Sequence, residues 1–167
     1  RDNEAGIAAQ RTSPVIINNT FVSNTVAGVS TAVDSAAVIR NNIFILNDRG
    51  IDTVSATLPA NVTIDHDLFY NNTTDIYSFV SCSAGCVFGL DPFLAAIGLD
   101  DYHLLPASAA IDVGSGVFAP LLDFDLFGRP INAINDIGAD EFSSAAPPPP
   151  PLSIPAASEW ALIALAL

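Results

Sequence analysis

Lysine is absent from this chain, and its positive charge rests on five arginines against 18 acidic residues, for a net charge of −13. So few cations cannot neutralise a run of phosphates, which excludes nucleic acid as a partner and argues equally against anionic lipid surfaces. Methionine is also absent, and the sequence opens on Arg1-Asp2-Asn3. It is therefore expected to lack its own start, with an N-terminal part missing and no signal peptide to argue from. Long apolar runs are missing too. At Trp160–Leu167 only eight apolar residues stand together, whereas a membrane-spanning helix needs about 20. Two cysteines, Cys82 and Cys86, sit in Cys-Ser-Ala-Gly-Cys, and His66 and His103 lie far off without paired spacing. A zinc site needs four ligands, so a zinc module is not encoded there. A small disulfide in an oxidising compartment and a pair of free thiols are the two readings left. Charged residues make up only 14% and hydrophobic residues half, which excludes a disordered chain.

What is present is a repeat. Ile16-Ile17-Asn18-Asn19-Thr20-Phe21-Val22-Ser23-Asn24 recurs as Ile39-Arg40-Asn41-Asn42-Ile43-Phe44-Ile45-Leu46-Asn47, and again as Ile64-Asp65-His66-Asp67-Leu68-Phe69-Tyr70-Asn71-Asn72. The phenylalanines Phe21, Phe44 and Phe69 are spaced by 23 and then 25 residues, and Ile16/Ile39/Ile64 and Asn24/Asn47/Asn72 keep the same phase. A period of this length fits a leucine-rich repeat or a solenoid coil. The units lack a leucine ladder. They are short, β-branched and aromatic, and are bounded by Asn, Asp, Gly and Ser, which favours strands and tight turns. The fold expected is all-β: a right-handed parallel β-helix whose equivalent residues stack as ladders. Asn tolerates left-handed turn geometry, and stacked Asn amides can bond along the axis, so the repeated asparagines read as scaffold.

Past about Gly89 the period fails. Residues 1–89 are thus expected to form the coils, and 90–142 an irregular cap over the last layer, because an uncovered strand edge invites pairing with other chains. Residues 143–153 contain five consecutive prolines, Pro147–Pro151, which make a semi-rigid spacer. Residues 154–167 end while still fully apolar, with Trp160 where an interfacial residue would stand, and read as a truncated membrane segment.

Two resemblances follow from these stretches. Asp91-Pro92-Phe93, Asp101-Tyr102-His103-Leu104, Ala109-Ala110-Ile111-Asp112-Val113-Gly114, Asp125, Gly128-Arg129-Pro130 and Asp136-Ile137-Gly138-Ala139-Asp140-Glu141-Phe142 together resemble the choice-of-anchor Q domain, a module that closes bacterial surface proteins with β-helix bodies. Pro106-Ala107-Ser108-Ala109-Ala110 and Leu126-Phe127-Gly128 depart from its usual pattern. The tail residues Ile154, Pro155, Ser158, Glu159 and Trp160 resemble the start of an IPTL-CTERM sorting signal, with Ala156-Ala157 in place of Thr-Leu. That resemblance implies a Gram-negative exporter, a sorting enzyme of the cell envelope as partner, contact with membrane through the tail alone, and delivery to the surface, outer envelope or medium.

Chemistry is sparse in the pattern. Asp100-Asp101 is an adjacent acid pair of the kind hydrolysis of polysaccharides could use, but it falls inside the cap motif and lacks catalytic partners. Proton abstraction without Lys would fall to Arg40, Arg49 or a Tyr, and both arginines read as turn or ion-pair residues. His66 takes the slot of Asn18 and Asn41. Asp123 and Asp125 alternate within an acid-rich stretch and could hold Ca²⁺. Against that stands Arg129, the only cation of the cap, as a structural clamp pairing with one or two of the acids Asp123, Asp125, Asp136, Asp140 and Glu141, with Asp112 and Asp136 singled out. No other cofactor is implied. The function expected is that of an exported structural, adhesive or carbohydrate-interacting protein. A polysaccharide lyase or glycoside hydrolase with its catalytic coils upstream, and a passive stalk, are the alternatives.

Overall fold

A computed structural model describes residues 2–32, 35–53, 62–78 and 80–144. The strands are β1 (Ala5–Gln10), β2 (Val15–Ile17), β3 (Thr20–Val22), β4 (Ala27–Ala32), β5 (Val38–Arg40), β6 (Ile43–Ile45), β7 (Arg49–Asp52), β8 (Thr63–Asp65), β9 (Leu68–Tyr70), β10 (Thr74–Tyr77), β11 (Val87–Phe88), β12 (Leu94–Ala96) and β13 (Asp101–Leu104). One 3₁₀ turn, Ile97–Leu99, links the last two. The chain winds through three parallel sheets, ordered β1-β4-β7-β10, β2-β5-β8 and β3-β6-β9-β11, and finishes in the antiparallel hairpin β12-β13. It is an all-β solenoid of about three turns.

Register follows the repeat. Ile16 pairs with Ile39 and Ile39 with Ile64; Phe21, Phe44 and Phe69 pair in the same way. Their rings stack with centroids 5.1 Å apart, close to one strand spacing, and the stack runs on to a fourth ring, Phe88. That fourth rung is hidden from the period because β11 pairs with β9 only 19 residues on, Leu68 against Val87. Opposite the rings runs a second ladder, of glycines. A Cβ on Gly28 would lie 2.6 Å from the Phe44 ring and 2.9 Å from the Gly50 carbonyl oxygen, and Gly6 and Gly50 are crowded in the same way. The rings stack closely because the facing strand carries no side chain there.

Each coil turns two of its corners alike. A left-handed residue comes first: Asn18, Asn41 and His66 at φ 53, 54 and 52°, then Ser23, Leu46 and Asn71 at 55, 60 and 53°. The residue after it bonds along the axis. Asn24 donates its backbone N–H and its Nδ2 to Asn47 Oδ1 (3.0 and 2.8 Å), and Asn47 does the same to Asn72 Oδ1 (both 3.0 Å). Asn19, Asn42 and Asp67 form the parallel ladder.

The irregular C-terminal segment packs along the flank of the solenoid, spanning the coils and not only the last layer. Strands β3, β6 and β9 alternate, so while phenylalanines point in, Val22, Ile43, Ile45 and Leu68 point out. These outward residues are buried with Leu104, Ala110 and Ile137 of the cap in a second core. Polar contacts fix the seat. Asn18 Nδ2 donates to the Asp136 and Gly138 carbonyls (3.1 and 3.0 Å), and Asn41 exchanges two bonds with the Ser115 backbone (both 2.7 Å). Gly138, at φ 106°, comes so close that a Cβ there would lie 2.6 Å from Ile43 Cδ1.

Candidate functional site

Side chains with chemistry gather where the cap folds over β13. Alternation in Asp101-Tyr102-His103 puts Asp101 and His103 on one face of the strand. Asp101 Oδ1 lies 2.5 Å from His103 Nδ1, and Asp125 Oδ2 lies 2.7 Å from His103 Nε2. Asp125 is brought there by a narrow loop closed at Leu122–Gly128. Asp123 shapes that loop: its Oδ1 accepts the N–H of Asp125 and of Phe127 (3.0 and 2.8 Å), and its Oδ2 accepts the N–H of Glu141 (3.2 Å). Asp140 is buried and takes the Leu104 N–H on Oδ2 at 2.7 Å. One donor atom each from His103, Asp125 and Asp140 lies within 4.8 Å of the others. The three line a cavity of about 70 Å³ with Leu104, Phe127 and Glu141.

Burial alone would lower the His103 pKa. Hydrogen bonds to Asp101 and Asp125, with the charges of Asp125 and Asp140, outweigh that and hold it up at about 9. In return, the bond from His103 lowers the Asp101 pKa. Burial raises that of Asp140, against the bond from Leu104. At neutral pH the imidazolium therefore bridges β13 to the Leu122–Gly128 loop.

The residues singled out by sequence separate into distinct groups here. Asp123 and Asp125 were expected to share a cation, but Asp123 spends both oxygens on backbone N–H groups while Asp125 turns to His103. Arg129 was expected to clamp one or two of the cap's acids, Glu141 among them, with Asp112 and Asp136 singled out. It reaches Glu141 Oε1 (2.8 Å) and the carbonyls of Gly138 and Ala139 (3.0 and 2.5 Å). Asp136 accepts the N–H of Asp112 and of Phe142 (2.7 and 2.6 Å), so it holds backbone and not a cation. Its carboxyl sits in a buried setting, where desolvation and the neighbouring Glu141 charge push the pKa up to about 6 despite those bonds. Asp112 and Asp136 thus belong to the cap's own turn, and the carboxylate that partners Arg129 is Glu141.

On the coils, Arg40 makes a two-pronged ion pair with Asp65, one prong at 2.6 Å, and lies 5.9 Å from the Phe118 ring of the cap. Burial would raise the Asp65 pKa, but the bonds from Arg40 and His66 bring it below the ordinary value. His66 is covered by the loop between Cys82 and Cys86; its N–H donates to the Ala84 carbonyl (2.8 Å), and Gly85 lies against the ring. Those two cysteines form a disulfide that packs beneath the last coil. Arg49 bonds Asp52 (2.5 Å) and sits 4.3 Å over the Tyr77 ring. The linker and the tail residues Ile154, Pro155, Ser158, Glu159 and Trp160 lie outside the described residues. Among the described residues no helix is long and apolar enough to cross a membrane.

Sequence reasoning missed His103 as the centre of this cluster. The signal was there: Asp-x-His places the two side chains on one strand face. What it could not supply was Asp125 and Asp140, which arrive from loops 22 and 37 residues away in the sequence.

A chain whose coils stack in parallel register, with ladders of Ile, Phe and Asn, is a β-solenoid. Residues 1–89, more than half of the chain, match the family model described as the right handed beta helix region, and the chain belongs to that family. Comparison with curated proteins and with solved structures gave no match.

Proposed function

We propose that this chain is an exported β-helix protein that works as a structural or interaction element at the bacterial surface, with carbohydrate as its partner class and its tail as a sorting signal. The observation that carries the structural role is the fate of the repeated polar residues. Asn19, Asn24, Asn42, Asn47 and Asn72 all bond within the ladders or to neighbouring carbonyls. The coils use these groups to hold themselves together. Export is supported by the disulfide Cys82–Cys86, since such bonds persist in oxidising compartments. The choice-of-anchor Q and IPTL-CTERM resemblances of residues 91–142 and 154–160 support the same destination. The test is fractionation of the native host expressing the parent protein with or without the residues after Pro151. Truncation should change the location and leave the unfolding midpoint within about 2 °C, since the removed residues lie beyond a polyproline spacer. Unchanged location with a much lowered midpoint would make the tail part of the fold and end this reading.

A further inference from the structure

Three acids surround His103: Asp101, Asp125 and Asp140. Its two ring nitrogens have different surroundings. Nδ1 faces Asp101, on the same strand, and Nε2 points into the cavity toward Asp125, with Asp140 alongside. A carboxylate on one ring nitrogen is the arrangement that fixes a metal-binding imidazole, because it sets the tautomer and aims the other nitrogen. Asp140 adds a second observation. It is 5% exposed; Leu104 N–H caps Oδ2, and the side chain lines the cavity beside His103 and Asp125. A carboxylate this deeply buried costs free energy when ionised unless positive charge stands beside it.

We propose that His103, Asp125 and Asp140 bind a first-row divalent cation, and that zinc fits this donor set best. One imidazole nitrogen and two carboxylates, meeting within 4.8 Å of one another, suit zinc or manganese with the remaining positions open to water. Calcium asks for six or more oxygens and gains nothing from an imidazole. On binding, Nε2 gives its proton to solvent and its lone pair to the ion, while Asp101 keeps Nδ1–H. The ion would tie β13, the Leu122–Gly128 loop and the Asp140 turn together at one point on the flank. This proposal stands apart from the surface role above, because it rests on the cap alone.

The experiment is isothermal titration of the intact chain, freed of metal by chelator, with zinc chloride at pH 7.5, with calcium and manganese chlorides as comparisons. One equivalent of zinc should bind, at least tenfold more tightly than calcium, and raise the thermal midpoint. His103→Gln and Asp125→Asn should each weaken zinc at least tenfold. Asp101→Asn keeps all three ligands and should weaken it about tenfold through orientation alone. It also serves where a ligand variant fails to fold, as judged by circular dichroism. His66→Gln should bind as the parent does. Zinc affinity that stays within twofold in His103→Gln or Asp101→Asn, calcium binding equal to zinc, or no zinc bound at all would each overturn the proposal.

Discussion

Replacing Asp67 by Asn should stabilise the protein, and the ladder says by how much. Asp67 is fully buried, and its Oδ1 accepts both the N–H and the Nδ2 of Asn42, at 2.7 and 2.9 Å. Its Oδ2 is buried with no partner. One coil earlier, Asn42 occupies the equivalent slot and uses its Nδ2 also on the carbonyls of Ile16 and Arg40, at 3.0 and 2.9 Å. The repeat places Ile39 and Asp65 in those roles for residue 67. An amide there would donate where an ionised carboxylate meets only carbonyl oxygens. Burial raises the Asp67 pKa well above the ordinary value, outweighing the two bonds from Asn42. The folded state holds this proton more tightly than the unfolded chain, so Asp67's contribution to stability is fullest below the unfolded carboxyl pKa of about 3.9 and falls as pH rises toward the folded pKa. Asp67→Asn removes that fall. Relieving one unsatisfied buried oxygen is worth about 1–3 kcal/mol at pH 7, or about 4 °C per kcal/mol for a domain of this size. Urea unfolding followed by circular dichroism at pH 3, 5 and 7 would show it: near-coincident curves at pH 3, separating as pH rises. An Asn variant no more stable than wild type at pH 7, or a gain just as large at pH 3, would refute the reasoning.

Other outcomes follow from the same ladders. Phe44→Ala, in the middle of the ring stack, should cost about 3–5 kcal/mol, whereas Arg49→Ala on the outer face should be nearly silent; equal effects in urea unfolding would mean the phase is wrong. Gly28→Ala should cost at least about 1–3 kcal/mol, since its Cβ would meet both the Phe44 ring and a carbonyl oxygen. Gly98→Ala, with open space around it, should be near neutral by the same measurement. Incubated with pectin-like polysaccharides, with and without calcium, the purified chain should release no unsaturated or reducing sugar ends; release would show a catalytic centre that the present reading omits.

The coils were legible because a ladder repeats its evidence in every turn. Ile16, Ile39 and Ile64 reveal one another through spacing, and Asn24, Asn47 and Asn72 do likewise. The fourth phenylalanine was not legible, because the last turn is shorter and Phe88 loses the phase. The glycine ladder was missed for a different reason. Gly6, Gly28 and Gly50 recur at 22 residues, but glycine also marks turns, so its presence alone does not show a close approach. The cap's position on the flank had a signal that went unused. Thr-Phe-Val, Ile-Phe-Ile and Leu-Phe-Tyr are apolar on both faces for most of their length, the mark of a strand covered on both sides. Arg129 needed a partner, but which of several acids would face it depended on turns with no repeat to fix them.

The contrast between coil and cap also bears on where a ligand can act. In the coils the asparagine side chains bond one another along the axis, and the ionic groups pair locally, Arg40 with Asp65 and Arg49 with Asp52. A ligand on that surface would have to compete with bonds that hold the layers in register. In the cap, by contrast, much of the polar content serves to position other groups. Asp123 shapes a loop, Asp101 sets an imidazole, and Arg129 with Glu141 anchors the turn that carries Asp140. Groups held this way keep their geometry without a ligand, which is the condition for binding one without a large ordering cost. Change on the coil faces should therefore register mainly as lost stability. Change around His103 should register first as lost binding, with the solenoid beneath still folded.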